Sequence, residues 1–224
     1  MNENIPTTIG TAGEDGRLHL EWDWYAAGIP ANVEFGRDVY IDTSYGFAAC
    51  FSELKPGVVI GDATGAYDRA SFVVGPAGRV RVGQYTILNG TYLICNNEIV
   101  IGDHCLLAWG SVITDTWFGL NSATREERGA VLRAVAAHPA RRVQPVTDAR
   151  PVKLEDNTWV GFDSVILPGV TLGRGCIVGS KTVIYEDVPP YAVVVGDPAR
   201  IIRYLEPDDT EEQRVQALRH YTRH

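Results

Sequence analysis

Large aliphatic side chains recur every six residues through the segment from Leu154 to Arg203. Their positions are Leu154, Val160, Ile166, Leu172, Val178 and Ile184. Small or branched residues often lie four places on, at Thr158, Ser164, Cys176 and Thr182. A period of six matches neither the 3.6 residues of a helical turn nor the alternation of a single strand. It is typical of a solenoid, in which each short strand and its turn stack on the preceding coil with the aliphatic side chain inside.

The same period occupies the N-terminal half of the chain and is interrupted once. It begins at Val33, slips near Phe51, continues to Asp115 and resumes near Val152. With three short strands in each coil, the two blocks predict roughly six to eight coils and a prism roughly 30–40 Å long. We therefore predict one β-helix domain over residues 33–203, with an inserted segment at about 116–151.

Three segments lie outside the repeat. Residues 1–32 are expected to form an arm that caps the open end of the first coil, or that packs on a neighbouring subunit. In the insertion, Thr124 and Glu127 form a capping-box pattern that predicts a short helix to about Ala137. Residues 204–224 are predicted to form a C-terminal helix.

Composition and charge narrow the function classes. The chain of 224 residues has a net charge of −8, which argues against general nucleic-acid binding. No apolar run approaches the length of a membrane span, and the N-terminus lacks the layout of a signal peptide, so we expect a cytoplasmic protein. The cysteines are scattered and are expected to be small buried thiols, namely Cys50, Cys95, Cys105 and Cys176.

The repeat resembles that of the hexapeptide-repeat acyltransferases, especially the maltose, galactoside and other sugar O-acetyltransferases. The resemblance rests on the hexads, on WVGFDSVILPGVTLG and on the closing VPPYAVVVGDPARIIR. It implies an all-β, left-handed parallel β-helix that forms a homotrimer. It also implies a CoA-dependent acyltransferase, which transfers an acetyl or other acyl group to a hydroxyl or amine of a small polar acceptor, such as a sugar.

The resemblance assigns a place to the acyl donor. By this likeness, acyl-CoA lies in a groove between two prisms, against the C-terminal coils. Trp159, Gly161, Gly179 and Ser180 would line the groove, and Lys181, Arg200 and Arg203 would meet the adenosine phosphates. Trp159 and the glycines are explained equally well by packing within the coils, and the three cations by solvation at the surface.

The expected general base is missing from its usual position. In the family, a His follows a coil in a pattern close to Ile-x-Asp-x-x-His, and here Phe118 takes its place after Ile113 and Asp115. His138, in the same insertion, or Asp115, with its pKa raised by burial beside Trp117 and Phe118, could act instead. The third explanation is a non-catalytic trimeric pseudoenzyme or scaffold.

The acceptor side is implied by amide residues and by the insertion. Asn89, Asn96 and Asn97 occupy positions similar to the acceptor-binding residues of the sugar O-acetyltransferases, although Asn is also common at tight corners. Trp117 and Phe118 complete the expected substrate-binding set. A metal-dependent hydratase is the remaining alternative, but its zinc site would need three His ligands and only His104 lies within a regular coil, where an exposed corner is expected, so no metal is predicted.

Overall fold

The computed structural model describes residues 9–117, 124–137 and 148–207. The chain begins with an antiparallel hairpin of β1 (Thr11–Ala12) and β2 (Leu18–His19). Leu20 and Ile29 are buried beneath this arm. The indole of Trp22 donates to the carbonyl of Ile41 at 3.0 Å. The arm therefore covers the first coil of its own chain.

The first block of coils alternates short strands with tight corners. Its strands are β3 (Val33–Phe35), β4 (Tyr40–Ile41), β5 (Val58–Ile60), β6 (Gly65–Tyr67), β7 (Ser71–Val74), β8 (Arg79–Val82), β9 (Ile87–Asn89), β10 (Tyr92–Cys95), β11 (Glu98–Ile101), β12 (Leu106–Leu107) and β13 (Val112–Thr114). A 3₁₀ helix, Ser44–Phe47, takes the place of the third strand in the first coil.

The insertion leaves the prism at one corner and returns to the same corner. Its two ends pair as an antiparallel ladder of β14 (Thr116–Trp117) and β15 (Asp148–Ala149), and α1 (Arg125–Ala137) lies between them. The predicted capping box is present, because Thr124 N donates to Glu127 Oε2 at 2.7 Å and Glu127 N donates to Thr124 Oγ1 at 3.2 Å.

The second block completes the prism. Its strands are β16 (Val152–Leu154), β17 (Trp159–Val160), β18 (Val165–Ile166), β19 (Thr171–Leu172), β20 (Ile177–Val178), β21 (Val183–Ile184), β22 (Ala192–Val195) and β23 (Arg200–Tyr204). Tyr204 thus ends a strand, so the predicted C-terminal helix does not begin there. The residues of that prediction from 208 onward lie outside the described ranges.

Three sheets form the sides of the prism. Sheet I contains β3, β5, β8, β11, β16 and β19; sheet II contains β4, β6, β9, β12, β17, β20, β22 and β23; and sheet III contains β7, β10, β13, β18 and β21. Apart from the antiparallel β22–β23 pair, all the pairings within these sheets are parallel. The six strands of sheet I give six coils, and β22 continues into a seventh. The predicted left-handed parallel β-helix is confirmed.

The hexad positions form the core. Leu154, Val160, Ile166 and Leu172 are each 0% exposed, and each pairs in register with its equivalent on the next coil. All four cysteines are free and buried, as predicted. Burial raises the pKa of the Cys105 thiol to about 11 and that of Cys176 to about 12. These thiols are therefore protonated core side chains at neutral pH.

Candidate functional site

Sheet II collects the residues predicted to bind the acyl donor. Trp159, Ile177, Val193 and Arg203 occupy one cross-strand row. Gly161 and Gly179 directly follow two paired strands, β17 and β20, and so begin a second row that reaches Val195 and Arg200. At about 4.8 Å per strand, each row extends about 14 Å along the prism from β17 to β23. Residues that lie 39 to 44 positions apart in sequence thus share the outward face of sheet II, on which Ile177 and Val193 are buried and Arg203 is exposed.

Ser180 and the three cations border these rows. Ser180, Lys181, Arg200 and Arg203 are all exposed. Within the described part of the chain, none of the three cations has a carboxylate within ion-pairing distance. This surface therefore combines the exposed side chain of Ser180 with positive charge that remains available to an anion.

The two glycines also have a role in packing. A Cβ at Gly161 would lie 2.6 Å from Ser180 N, and one at Gly179 would lie 2.7 Å from Val195 Cγ1. Close stacking of the coils therefore requires glycine at both positions, whether or not a ligand binds there.

The sequence did not predict an exposed aromatic pair at the corner between sheets II and III. Trp109 and Phe162 are each 47% exposed, and their rings stack with centroids 5.6 Å apart. The indole of Trp109 also donates to Asp68 Oδ2 at 2.6 Å. Each ring lies two residues beyond the end of a sheet II strand, but the insertion lies between them in sequence and hides the equivalence of their positions.

Asn89 also lies at the corner between sheets II and III, and not with the other predicted acceptor residues. It pairs with Tyr67 at the end of β9, and its row continues toward Gly161. Asn96, Asn97, Asp115 and Trp117 lie instead at the corner between sheets III and I, where the insertion emerges. The width of sheet III, about 15 Å, separates the two groups in one chain.

Asp115 occupies a fully buried position. Its side chain is 0% exposed, so the carboxylate is shielded from solvent. Its environment is made by Cys95, Asn96 and Thr116, which hydrogen-bond to its carboxylate. Trp117 is 45% exposed. Phe118 and His138 lie outside the described residues.

The two histidines that the structure describes lie away from these groups. His104 is exposed at a corner, as expected. Its ring stacks on that of Tyr85, with centroids 5.0 Å apart. His19 contacts Asp15 at 3.1 Å in the arm. Among the described residues, no group of three or more His, Cys, Asp or Glu side chains could hold a metal ion. No helix in the same ranges is long and apolar enough to cross a membrane.

Comparisons with known proteins connect these coils to a family. Residues 151–186 match the family model described as Bacterial transferase hexapeptide (six repeats). A 2,3,4,5-tetrahydropyridine-2,6-dicarboxylate N-acetyltransferase of Staphylococcus aureus is 41% identical over 92 residues, which is 41% of this chain and 35% of that relative. The matched segments span only 27% to 38% of the lengths of the curated relatives.

Solved structures extend the likeness over most of the chain. AntD, an N-acyltransferase from Bacillus cereus in complex with dTDP and 3-hydroxybutyryl-CoA, has a TM-score of 0.52 at 16% identity, covering 84% of this chain and 89% of that chain. A maltose O-acetyltransferase from Clostridium difficile has a TM-score of 0.43 at 20% identity, covering 78% and 67%. The chain therefore carries the bacterial transferase hexapeptide repeat, in the left-handed β-helix fold of the hexapeptide-repeat acyltransferases.

Proposed function

We propose that the protein is a CoA-dependent acyltransferase. It moves an acetyl or other acyl group to a hydroxyl or amine of a small polar acceptor, such as a sugar. The observation that carries the proposal is the outer surface of sheet II, where the two in-register rows run from Trp159 and Gly161 to Arg203 and Arg200. The exposed hydroxyl of Ser180 can bond the pantetheine, and the cations can meet the phosphates.

The comparisons support the same donor. The family model covers the coils that carry Trp159, Gly161, Gly179, Ser180 and Lys181. The Bacillus cereus neighbour was solved with an acyl-CoA, and the curated relative is named as an N-acetyltransferase. Acyl-CoA is thus proposed as co-substrate.

A complete site requires a neighbouring copy of the chain. In one prism, sheet III separates the proposed donor surface from the corner that bears the insertion. A groove between two copies would bring the donor surface of one copy next to the insertion of the other. By resemblance to the family, we propose a homotrimer.

The outer faces of the prism differ in a way that supports this assembly. Sheet I presents three charged side chains outward, Glu34, Arg81 and Lys153, and they alternate along the column with Val59, Val100 and Thr171. The outward column of sheet II is apolar, at Tyr40, Ile87, Leu106 and Trp159. The outward column of sheet III is also apolar, at Tyr92, Val112, Val165 and Val183. Two apolar faces on one chain suit a ring of identical copies, in which each face meets a different neighbour.

His138 is the proposed general base. An imidazole titrates near neutrality and can accept the acceptor's proton as the thioester is attacked. On this proposal, His138→Ala abolishes transfer and leaves the oligomer and the affinity for CoA intact. Unchanged turnover in that variant would remove His138 from the mechanism.

Thiol release from acetyl-CoA tests the proposed reaction. The purified protein is assayed against a panel of sugars, amino sugars and small amines, and acceptor-dependent release is expected for at least one class. Ser180→Trp adds bulk at an exposed position of the donor surface and should abolish release, whereas Lys153→Trp on the outer face of sheet I should not. Equal activity of the two variants would place the donor elsewhere.

A non-catalytic trimer is the second candidate, because Phe118 stands where the family has its His. On this alternative, the protein binds CoA but releases no thiol with any acceptor. A binding assay on the same preparation therefore separates the two candidates.

A further inference from the structure

We propose that Asp115 is a positioning residue, whose buried carboxylate ties the base of the insertion to the preceding coil. The role of the insertion in acceptor binding rests on the function proposed above, but the tie itself does not. This assignment replaces proton transfer as the expected task of Asp115.

The carboxylate is surrounded by donors from its own chain. Oδ1 accepts from Asn96 N at 2.9 Å and from Thr116 Oγ1 at 2.5 Å. Oδ2 accepts from Asn97 N at 2.7 Å and from the Cys95 thiol at 3.3 Å. Both oxygens are therefore engaged in a side chain that is 0% exposed. A group held in this way has no oxygen left to take a proton from an acceptor.

The Cys95 thiol lies 3.3 Å from Oδ2 of this carboxylate and 3.2 Å from Arg79 O, so its one proton is shared between two acceptors. Burial raises its pKa strongly, and the negative charge of Asp115 raises the pKa further. The thiol therefore stays protonated across the physiological range. Its own 0% exposure shields it from solvent.

The backbone of Asp115 also ties the insertion to the preceding coil. Its N–H donates to Ile94 O at 3.1 Å, which fixes it to the previous coil. Its carbonyl accepts from Arg150 N at 2.7 Å, where the chain returns from the insertion. One residue thus links the outgoing strand, the returning strand and the coil beneath them.

The predicted acceptor amides take part in this tie. The amide of Asn96 donates to Thr116 Oγ1 at 2.9 Å, and that of Asn97 donates to Ala149 O at 3.2 Å. Each side chain therefore bridges the coil to one strand of the β14–β15 ladder. Their geometry favours a role in holding the insertion, which acts on the acceptor only through the residues that it carries.

Hydrogen exchange measures this role without any activity. Asp115→Asn keeps the shape of the side chain but points an N–H₂ group at backbone donors. Exchange at Asn96, Asn97, Trp117 and Arg150 is expected to rise by about tenfold or more, while core amides such as Val178 keep their protection. Asp163→Asn, at an exposed corner, is the matched control and should change neither set.

Milder variants cover the case in which Asp115→Asn does not fold. Cys95→Ala and Thr116→Val each remove one donor, and both should raise exchange at the same amides by a smaller factor. Cys95→Ser retains a donor and should restore protection. Wild-type exchange at these amides in all the folded variants would overturn the proposal.

Kinetics separates positioning from catalysis once an acceptor is known. Removing a positioning residue should raise the acceptor KM and leave the shape of the pH–rate profile unchanged. Removing a general base should eliminate a limb of the profile while exchange stays at its wild-type level. The second result would assign Asp115 to proton transfer, whatever the identity of the acceptor.

Discussion

At the scale of single residues, hydroxyl groups link each coil to the next. Thr86 is 0% exposed, and its Oγ1 donates to Gly102 O at 2.9 Å and accepts from Cys105 N at 3.1 Å. Thr64 does the same one coil earlier, because its Oγ1 donates to Gly83 O and accepts from Thr86 N. The small polar position of the hexad therefore satisfies backbone groups that the tight corner would otherwise bury unpaired.

Replacing Thr86 by Val tests this role at nearly constant shape. The variant leaves Cys105 N and Gly102 O without their partner, so we expect a loss of about 1–3 kcal/mol in the free energy of unfolding. Urea denaturation followed by circular dichroism measures it. Thr171→Val, on the outer face of sheet I, is the control and should cost much less. Equal losses would show that the buried hydroxyl contributes nothing specific.

The sequence predicts these residue-level features unequally. The six-residue period reveals the inward aliphatic positions and the small residues four places on, because both are dictated by coil stacking. It does not reveal that Asp115 is buried, because its partners Asn96 and Asn97 lie on the previous coil. The ring pair of Trp109 and Phe162 stays hidden for the same reason, since stacking across coils leaves no local signal.

At the scale of elements, one corner of each coil adopts a left-handed conformation. The residues at the corner between sheets I and II are Asp38, Ala63, Tyr85, His104, Asn157, Gly175 and Tyr191, with φ from 52° to 68°. Only one of them is glycine, so most of these corners carry backbone strain. A ladder of hydrogen bonds offsets it: Ala63 N donates to Arg37 O, and His104 N donates to Gln84 O, on the preceding coil.

Two substitutions at this corner should differ in their effect on the free energy of unfolding. Gly175→Ala puts a Cβ at φ +68° and 2.7 Å from the Tyr191 ring, so a loss of about 1–2 kcal/mol or more is expected. Ala63→Gly relieves strain but frees the unfolded chain, so its net change should stay within about 0.5 kcal/mol. Thermal denaturation of both variants checks this, and a larger loss for Ala63→Gly would contradict it.

Element prediction succeeded where a local signal exists. The capping box located the start of α1 because its two hydrogen bonds are formed within one turn. The β14–β15 ladder could not be foreseen, because its strands lie about 30 residues apart and contain only two residues each. The strand β23 carries no local signal, since all five of its residues are exposed and show no alternation.

At the scale of the whole molecule, the polarity of the three outer faces determines which of them can pack against another copy of the chain. Charged residues on sheet I favour contact with water, whereas the outward columns of sheets II and III are apolar. A chain that exposes two such faces is expected to bury them against its own copies.

Charge substitutions on the three faces test the assembly. Ile87→Arg on sheet II and Val183→Arg on sheet III should each shift the protein toward the monomer, because a buried unpaired charge weakens an apolar interface. Val100→Arg on sheet I is the matched control and should leave the oligomer intact. Analytical ultracentrifugation measures the outcome. Dissociation by Val100→Arg alone would reverse the assignment of faces.

Acid should destabilise the prism through its paired carboxylates. The backbone N–H and then the guanidinium of Arg37 lower the pKa of Asp62 below its ordinary 3.8. Lys153 and then the backbone N–H of Arg174 lower the pKa of Glu155 below its ordinary 4.5. Groups with lowered folded-state pKa values stabilise the fold above their ordinary pKa and lose that contribution as the pH falls through the folded value.

We therefore expect the urea midpoint to be steady near neutrality and to fall below about pH 4.5. Asp62→Asn should reduce the steepness of that fall, whereas Asp163→Asn serves as a control at an exposed corner. A midpoint that rises on acidification through this range would contradict the proposed pairing.

The most direct test of the central claim is the binding of CoA and acetyl-CoA by calorimetry to the purified wild-type protein. The account predicts a micromolar dissociation constant near one site per chain, and at least tenfold weaker binding in an Arg200→Ala, Arg203→Ala double variant, which loses two phosphate contacts. Undetectable binding at millimolar ligand, with the oligomer intact, would contradict the proposed donor surface.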